Sequence, residues 1–398
     1  MKDSSPQVYL DNHSTTRTDP RVVAEMLPYF DAVYGNASSR QHRFGWEAEA
    51  AVEQARTRVA DLLHCDPDEI YFTSGATESI NLSLKGIAEG LSSSGNHIIT
   101  CATEHRAALD TIRQLERYGF HVTYVPVDRT GLVSPEEIAE RVDNKTILVS
   151  IMMANNEIGT IAPIGEIGQV CRERGVLFHV DGAQAVGKIP VDVRSHLIDL
   201  LSFSAHKMHG PKGVGGIFIR NVRPRIPVRA QMDGGGQESG IRSGTLNVPG
   251  IVGLGKAAQL AAAEMAEEAT RVARLRDMLE SELIGSLEGV TVNGHSGSRL
   301  PNNSNLAFAG CEADAIMMAM KDVAVSSGSA CSSASPEPSH VLKAIGVDRD
   351  TLHGSIRFGL GRFTTEEDIR YAARRVKETV AALRQNVNAK AFAHTEHQ

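Results

Sequence analysis

The chain has 398 residues, 41% apolar and 22% charged, and its 41 basic against 48 acidic residues leave a net charge of −7. That length is enough for two domains and a large core, and the acidic balance, with no dense Lys/Arg tract, argues against nonspecific nucleic-acid binding. No run of about 18 apolar residues is present, so no membrane-spanning helix is expected, and five scattered cysteines without a Cys-x-x-Cys pair argue against a disulfide framework or structural zinc and for a reducing cytoplasm.

The polar start, Met1 to Pro6, lacks the apolar stretch of a signal peptide. A helix is predicted over Trp46 to Leu63 and a strand over Ile70 to Thr73. That strand runs into Ser74-Gly-Ala-Thr-Glu-Ser79 and a further helix. Gly75 allows a tight turn, and the N–H groups after it, with the Thr77 hydroxyl, suit a phosphate dianion at a helix N-terminus. Ser74 or Thr77 acting only as a helix cap is the competing reading.

A strand over His97 to Thr100 leads to Thr103-Glu-His105 and a helix over Arg106 to Arg117. His105 could stack on a ring and shuttle protons near neutral pH, or serve only structurally at the helix start. After a strand over Val122 to Val125 and a helix over Pro135 to Val142, the strand Ile147 to Ile151 precedes Asn155-Asn156-Glu157. Either amide could serve a cofactor oxygen, and a plain turn is the alternative. A helix over Ile164 to Arg174 follows, then a strand over Leu177 to Val180 that ends in Asp181, with Gln184 three residues on. The strand Leu200 to Phe203 runs into Ser204-Ala-His-Lys207, and Gly216 to Ile219 reads as a seventh strand.

Lys207 is the most informative residue. A lysine leaving an apolar strand, flanked by Ser204 and His206 and followed by a Gly-Pro turn, suits an aldehyde cofactor held as a Schiff base. Asp181, at the carboxyl end of another apolar strand, lies where open α/β sheets bind ligands and can keep a pyridine nitrogen protonated. The pair points to pyridoxal phosphate. Lys212, in Gly-Pro-Lys-Gly, reads as an exposed turn residue.

Strands apolar along their length and separated by helices predict an α/β fold with a mostly parallel central sheet covered on both faces. Near residue 250 the pattern becomes α+β. A long helix over Ile251 to Ile284 precedes strands at Val290 to Asn293, Ser304 to Ala309, Val323 to Ser326 and Ser355 to Leu360, with helices at Glu312 to Met320, Ser339 to Ile345 and Thr365 to Arg384. We place a large cofactor-binding domain at 15–255 and a smaller domain at 1–14 and 256–398. Cys331 sits in the small one, within Val325-Ser-Ser-Gly-Ser-Ala-Cys-Ser-Ser-Ala-Ser-Pro336. Its small polar neighbours, followed by Pro336 and Pro338, predict a mobile exposed loop over about 326–338, in which a thiol can be a nucleophile once ionised.

With these pieces in order, the chain resembles the cysteine desulfurases, pyridoxal-phosphate enzymes of aminotransferase class V and fold type I. The resemblance rests on Tyr9-Leu-Asp-Asn-His-Ser-Thr-Thr16, Tyr34-Gly-Asn36, His42-Arg-Phe-Gly45, Ser74-Gly-Ala-Thr-Glu78, Thr103-Glu-His105, Asn155-Asn-Glu-Ile-Gly159, Asp181-Gly-Ala-Gln184, Ser204-Ala-His-Lys207, Gly234-Gly-Gly-Gln-Glu238, Arg242-Ser-Gly-Thr245 and Ser327-Gly-Ser-Ala-Cys331, in family order along nearly the whole chain. The long segment around Cys331 is similar to that of group I, the NifS/IscS-like branch.

The resemblance implies pyridoxal 5′-phosphate attached to Lys207, with Asp181 on the ring nitrogen, Gln184 and Asn156 on the phenolate oxygen and His105 stacked on the ring as acid or base. It implies a phosphate held by Ala76, Thr77, Ser204 and His206, with Thr245 donated across a homodimer. Arg357 would fork onto the substrate carboxylate, and Asn36 would assist. L-Cysteine would become L-alanine while Cys331 gains a persulfide, which passes to a protein acceptor such as an iron–sulfur scaffold or a sulfur carrier. Neither nucleic acid nor membrane enters this reading. Ser239 stands where the family often has arginine, Asp233 where histidine is common, and the tail from Ala389 to Gln398 does not resemble the one used to dock an iron–sulfur scaffold. The rival readings are a selenocysteine lyase or another class-V lyase or transaminase, and an inactive protein that only binds a sulfur-transfer partner.

Overall fold

The computed structural model describes residues 7–327 and 338–395, with side chains described up to residue 385. Cys331 and positions 328–337 of the expected loop lie outside the described residues. In chain order the strands are β1 (Val8–Tyr9), β2 (Ile70–Thr73), β3 (His97–Cys101), β4 (His121–Val125), β5 (Thr146–Met152), β6 (Leu177–Asp181), β7 (Leu200–Ser204), β8 (Gly215–Ile219), β9 (Val290–Val292), β10 (Asn303–Phe308), β11 (Val323–Ala324), β12 (Ser326–Ser327) and β13 (Ser355–Gly359).

All seven strands expected in the first part of the chain join one sheet, in the order β2-β8-β7-β6-β5-β3-β4. Only β8 runs against its neighbours. Residues of β3, β7 and β8 are buried throughout, as continuous apolar runs in a sheet covered on both faces require. Because β2 to β7 point the same way, their carboxyl ends emerge along one edge, and the loops there receive the chemistry-bearing residues.

A second sheet, β12-β13-β10-β9, is antiparallel. A separate apolar cluster, including Val8, Leu10, Leu306, Phe358 and Val376, packs around it. The helix Val248–Ser286 links the two units. Leu254, Ala258 and Ala261 belong to the first core, and Val272, Leu275 and Leu283 to the second. This helix starts three residues earlier than the sequence pattern places it, because the Asn247 side chain caps the Gly250 N–H and Pro249 fits the first turn.

The strand expected over Val323 to Ser326 is a correction. Val323–Ala324 pairs in parallel with Val8–Tyr9, whereas Ser326–Ser327 pairs with β13. The chain changes partner at Val325, which lies between the two short strands. Two short helices, Pro20–Met26 and Pro28–Asp31, were not expected. Each carries proline in its first turn, and Asp19 accepts the Arg21 N–H as an N-cap.

Candidate functional site

A cavity of about 510 Å³ opens at the carboxyl edge of the large sheet. This is within the range of small-molecule sites. Its phosphate-sized end is the turn from β2 into the helix Ala76–Gly90. Gly75 is the N-cap, at φ 151° and ψ 179°, and no side chain caps the helix. Thr77 and Ser74 are therefore not caps, and the first N–H groups of the helix face the cavity lined by Ala76 and Thr77. Ser204, at the end of β7, and His206 line the same end. The His206 imidazole is pushed down to about 4 by burial and by the nearby Lys207 charge, and its Nδ1 lies 3.1 Å from the Thr15 Oγ1.

Asp181 closes β6 and is buried. One of its oxygens accepts the Ala183 N–H at 2.9 Å. Burial raises its carboxyl above the usual range, while the charges of His105 and Lys207 oppose the shift. A cationic ring nitrogen would compensate the ionised form at such a position. His105, by contrast, does cap a helix: its Nδ1 accepts the Ala107 N–H at 3.1 Å at the start of Arg106–Arg117. That contact fixes the tautomer with the proton on Nε2, and burial lowers the ring's pKa, so a neutral imidazole lines the cavity. His105 therefore caps a helix and lines the cavity at once.

The two neighbouring asparagines separate. Asn155 is used up within its own loop, with Oδ1 accepting the N–H groups of Glu157 and Ile158 at 2.8 and 3.1 Å and Nδ2 donating to the Thr103 carbonyl at 3.0 Å. Asn156 is the one that lines the cavity. Gln184 lines it too. Its Nε2 donates to the His13 carbonyl at 3.0 Å, and its Oε1 accepts from the Lys188 Nζ at 2.9 Å.

Lys207 follows β7 through the short turn Ala205–Lys207. Its Nζ donates to the backbone carbonyls of His13 and Ser14. Arg357, on β13 of the small sheet, is 1% exposed, a burial that demands partners. It donates to the Asn156 carbonyl at 2.8 Å and to Asp11 Oδ1 and Ser14 Oγ at 2.9 Å each. Its Nε is buried with no protein partner among the described residues, a donor available to a carboxylate.

Two expected residues do not reach this cavity within the chain. Asn36 is exposed and accepts the Ser38 N–H at 2.9 Å, and Thr245 is exposed. The loop that carries Thr245 is nevertheless tied to the phosphate turn, since Arg242 pairs with Glu78 at 2.7 Å. Conversely, His13, Ser14 and Thr15 line the cavity although sequence reasoning gave them no role. The segment Tyr9 to Thr16 drew attention only as a family match, and nothing in its composition signals that it passes between the two sheets.

A group with a phosphate, a basic ring nitrogen and an aldehyde fits this donor set: an uncapped helix N-terminus, a buried acid and a lysine converge on one cavity. The model of the aminotransferase class-V family matches residues 8–371. A cysteine desulfurase IscS of Anaeromyxobacter dehalogenans is 55% identical over 378 residues, 95% of this chain and 93% of that protein. A cysteine desulfurase of Mus musculus is 52% identical over 95% of this chain and 82% of its own length. The solved structure of a NifS-like protein superimposes with a TM-score of 0.88 at 41% identity, covering 94% of this chain and 99% of the other.

Proposed function

The chain belongs to the class-V aminotransferase family and, within it, to the cysteine desulfurases, and from that premise we propose how its own residues carry out the reaction. Pyridoxal 5′-phosphate, when bound, supplies an electron-withdrawing ring that stabilises negative charge at the Cα of an amino acid. Lys207 would hold it covalently and is the group that accepts and returns a substrate proton. Asp181 would pair with the ring nitrogen, and Gln184 and Asn156 would donate to the phenolate oxygen. Ala76, Thr77, Ser204 and His206 would hold the phosphate. His105 would cover the ring, and its neutral imidazole can take up a proton.

Arg357 would bind the carboxylate of L-cysteine through its unpartnered Nε, whereas Asn36, which does not reach this cavity within the chain, is left out of that contact. The Cys331 thiolate would then attack the substrate sulfur. A new S–S bond forms as the Cβ–S bond breaks, its electron pair is protonated at Cβ, and L-alanine leaves while Cys331 carries one added sulfur atom. Covalent reach supports this role. Ser326 is in register with Arg357, and the four residue steps from Ser327 to Cys331 reach at most about 14 Å.

We further infer a homodimer. Leu27, Phe30, Tyr34 and Trp46 are all more than half exposed, and Tyr34 stacks against Phe44 with ring centroids 5.4 Å apart. An apolar surface of this kind marks a partner site, and an exposed Thr245 suits donation to a neighbouring subunit. The sulfur acceptor would be a protein, such as an iron–sulfur scaffold or a sulfur carrier. Cysteines 65, 101, 171 and 311 are free thiols, which suits a cytoplasmic setting. Among the described residues no helix is long and apolar enough to cross a membrane.

The observation that carries the reading is the convergence of Lys207, Asp181, an uncapped helix N-terminus and Arg357 on one cavity. The test is incubation of the purified protein with L-cysteine, followed by intact-mass analysis and alanine determination. In a separate sample, borohydride should fix the cofactor to the Lys207 peptide. A reduced protein without that adduct, or alanine formed with no sulfur gained on Cys331, defeats the assignment.

A further inference from the structure

The loop Asn155–Glu157 has a role beyond supplying Asn156. Its successive groups tie three parts of the molecule together. The Asn156 carbonyl accepts from Arg357. The Glu157 carbonyl accepts from the Asn303 and Asn305 amides of β10 at 3.3 and 3.1 Å. The Glu157 carboxyl group, 4% exposed, accepts from the Ser339 hydroxyl at 2.5 Å. Ser339 is the second described residue after the segment that carries Cys331, and its Oγ also caps the helix His340–Ala344 through the Leu342 N–H at 3.1 Å.

The next residue repeats the attachment. His340 Nε2 donates to the Glu104 carbonyl at 3.0 Å, in the residue just before His105. Val341, Leu342 and Ile345 pack on Ile158 in a small apolar cluster of their own. The return point of the chain after Cys331 is therefore fixed on the loops that follow β3 and β5, not on the sheet to which its other end, Ser326–Ser327, belongs.

A buried carboxyl group costs free energy unless its hydrogen bonds repay it. Glu157 itself does not line the cavity, and placing its carboxyl group against Ser339 adds a specific tether that an apolar residue would not provide. We propose that Glu157 is a positioning residue for sulfur transfer: through Ser339 it fixes where the chain downstream of Cys331 rejoins the cofactor-side loops, and so the range from which the thiol approaches the substrate. This rests on the reading of Cys331 as the sulfur-accepting thiol.

The experiment is single-turnover persulfide formation in the holoenzyme with L-cysteine, read as sulfur gained on Cys331 by mass, beside an absorbance titration of cysteine binding. Ser339→Ala should slow persulfide formation roughly tenfold, about the worth of one buried hydrogen bond, with cysteine affinity changed by less than about twofold. Ser339→Thr, which keeps the hydroxyl, should restore most of the rate. Glu157→Ala should resemble Ser339→Ala, and the double variant should be no slower than either, as for two members of one tether. Melting curves exclude an unfolded variant, and Ser339→Ala carries the test if Glu157→Ala does not fold. An unchanged persulfide rate in Ser339→Ala overturns the proposal. So does an equal loss of cysteine affinity, which would place the effect on Arg357. If the unsubstituted enzyme gains no sulfur on Cys331, the reading beneath the proposal fails and the proposal with it, and that outcome is seen before any variant is made.

Discussion

The floor of the cavity and its rim are assembled in different ways. On the floor, each residue is placed by the strand or turn that immediately precedes it: Asp181 by β6, Ser204 and Lys207 by β7, Ala76 by the turn after β2. On the rim, the positioning contacts join residues far apart in the chain. Arg357 reaches Asp11 and Ser339 reaches Glu157. The floor depends on a parallel sheet whose strand ends align, so local sequence suffices to build it. The rim exists only once both sheets are packed together. Floor substitutions should therefore act on cofactor retention and chemistry, and rim substitutions on substrate binding and sulfur delivery.

The largest effect that tests this division is Lys207→Ala. It should abolish the borohydride-fixed adduct and lower alanine formation by at least about 10³-fold, the loss of a covalent and proton-transfer group together. Folding should survive, because Nζ is bonded to carbonyls that water can serve. Retained activity would break the assignment of the floor.

Arg357→Lys comes next and probes the rim. Lysine keeps the charge but not the planar fork. The expected result is a rise in KM for L-cysteine of about 30- to 100-fold, with the cofactor spectrum retained. Loss of the cofactor spectrum instead would mean that the rim and the floor are one cooperative unit. Arg357→Ala is the poorer test, because it strands Asp11 beside a buried gap and destabilises the fold.

How much of each region could be read from the sequence follows the same division. Seven apolar strand runs, each ending in a polar or glycine-containing signature, gave the sheet and the floor residues. Asn155 against Asn156 was not decidable from their types; the structure separates them because an Asx-type turn consumes the first. Arg357 drew attention only through the family resemblance, since a lone arginine in a strand carries no local signal. His13, Ser14 and the Glu157–Ser339 contact were missed because their partners lie 171 to 194 residues away. The helix at Pro20–Met26 had a readable signal, Asp19 followed by proline, that apolar periodicity alone overlooks.

Gly75→Ala gives a smaller effect and sharpens the floor. At φ 151° an L side chain is strained whatever space surrounds it, at a cost of about 1–3 kcal/mol. If the turn relaxes to relieve that strain, the helix N-terminus moves and the phosphate seat loosens. A weaker cofactor dissociation constant, measured by dialysis and reconstitution with pyridoxal phosphate, should accompany a lower melting temperature. A lower melting temperature with unchanged cofactor affinity would show that the turn does not set the phosphate seat.

The smallest effect concerns the rim and is set by pH. Burial raises the Glu157 carboxyl from the ordinary value of 4.5 to about 7, against the opposing hydrogen bond from Ser339 and the charges of Arg357 and Arg106. Between those two values the folded protein holds a proton that the unfolded chain has released. Its stability contribution is therefore fully present below pH 4.5 and is lost as pH rises through 7. The full shift corresponds to a ceiling of about 3 kcal/mol, and relaxation around a buried ion brings the expected difference to about 1 kcal/mol. Glu157→Gln keeps an acceptor for Ser339 and removes the titration. Relative to the unsubstituted protein it should gain stability as pH rises from 5 to 8, seen as a widening gap between denaturant midpoints at the two pH values. A gap that narrows instead would mean that the carboxylate is the favoured form at this site, with Arg357 or Arg106 as its ion-pair partner.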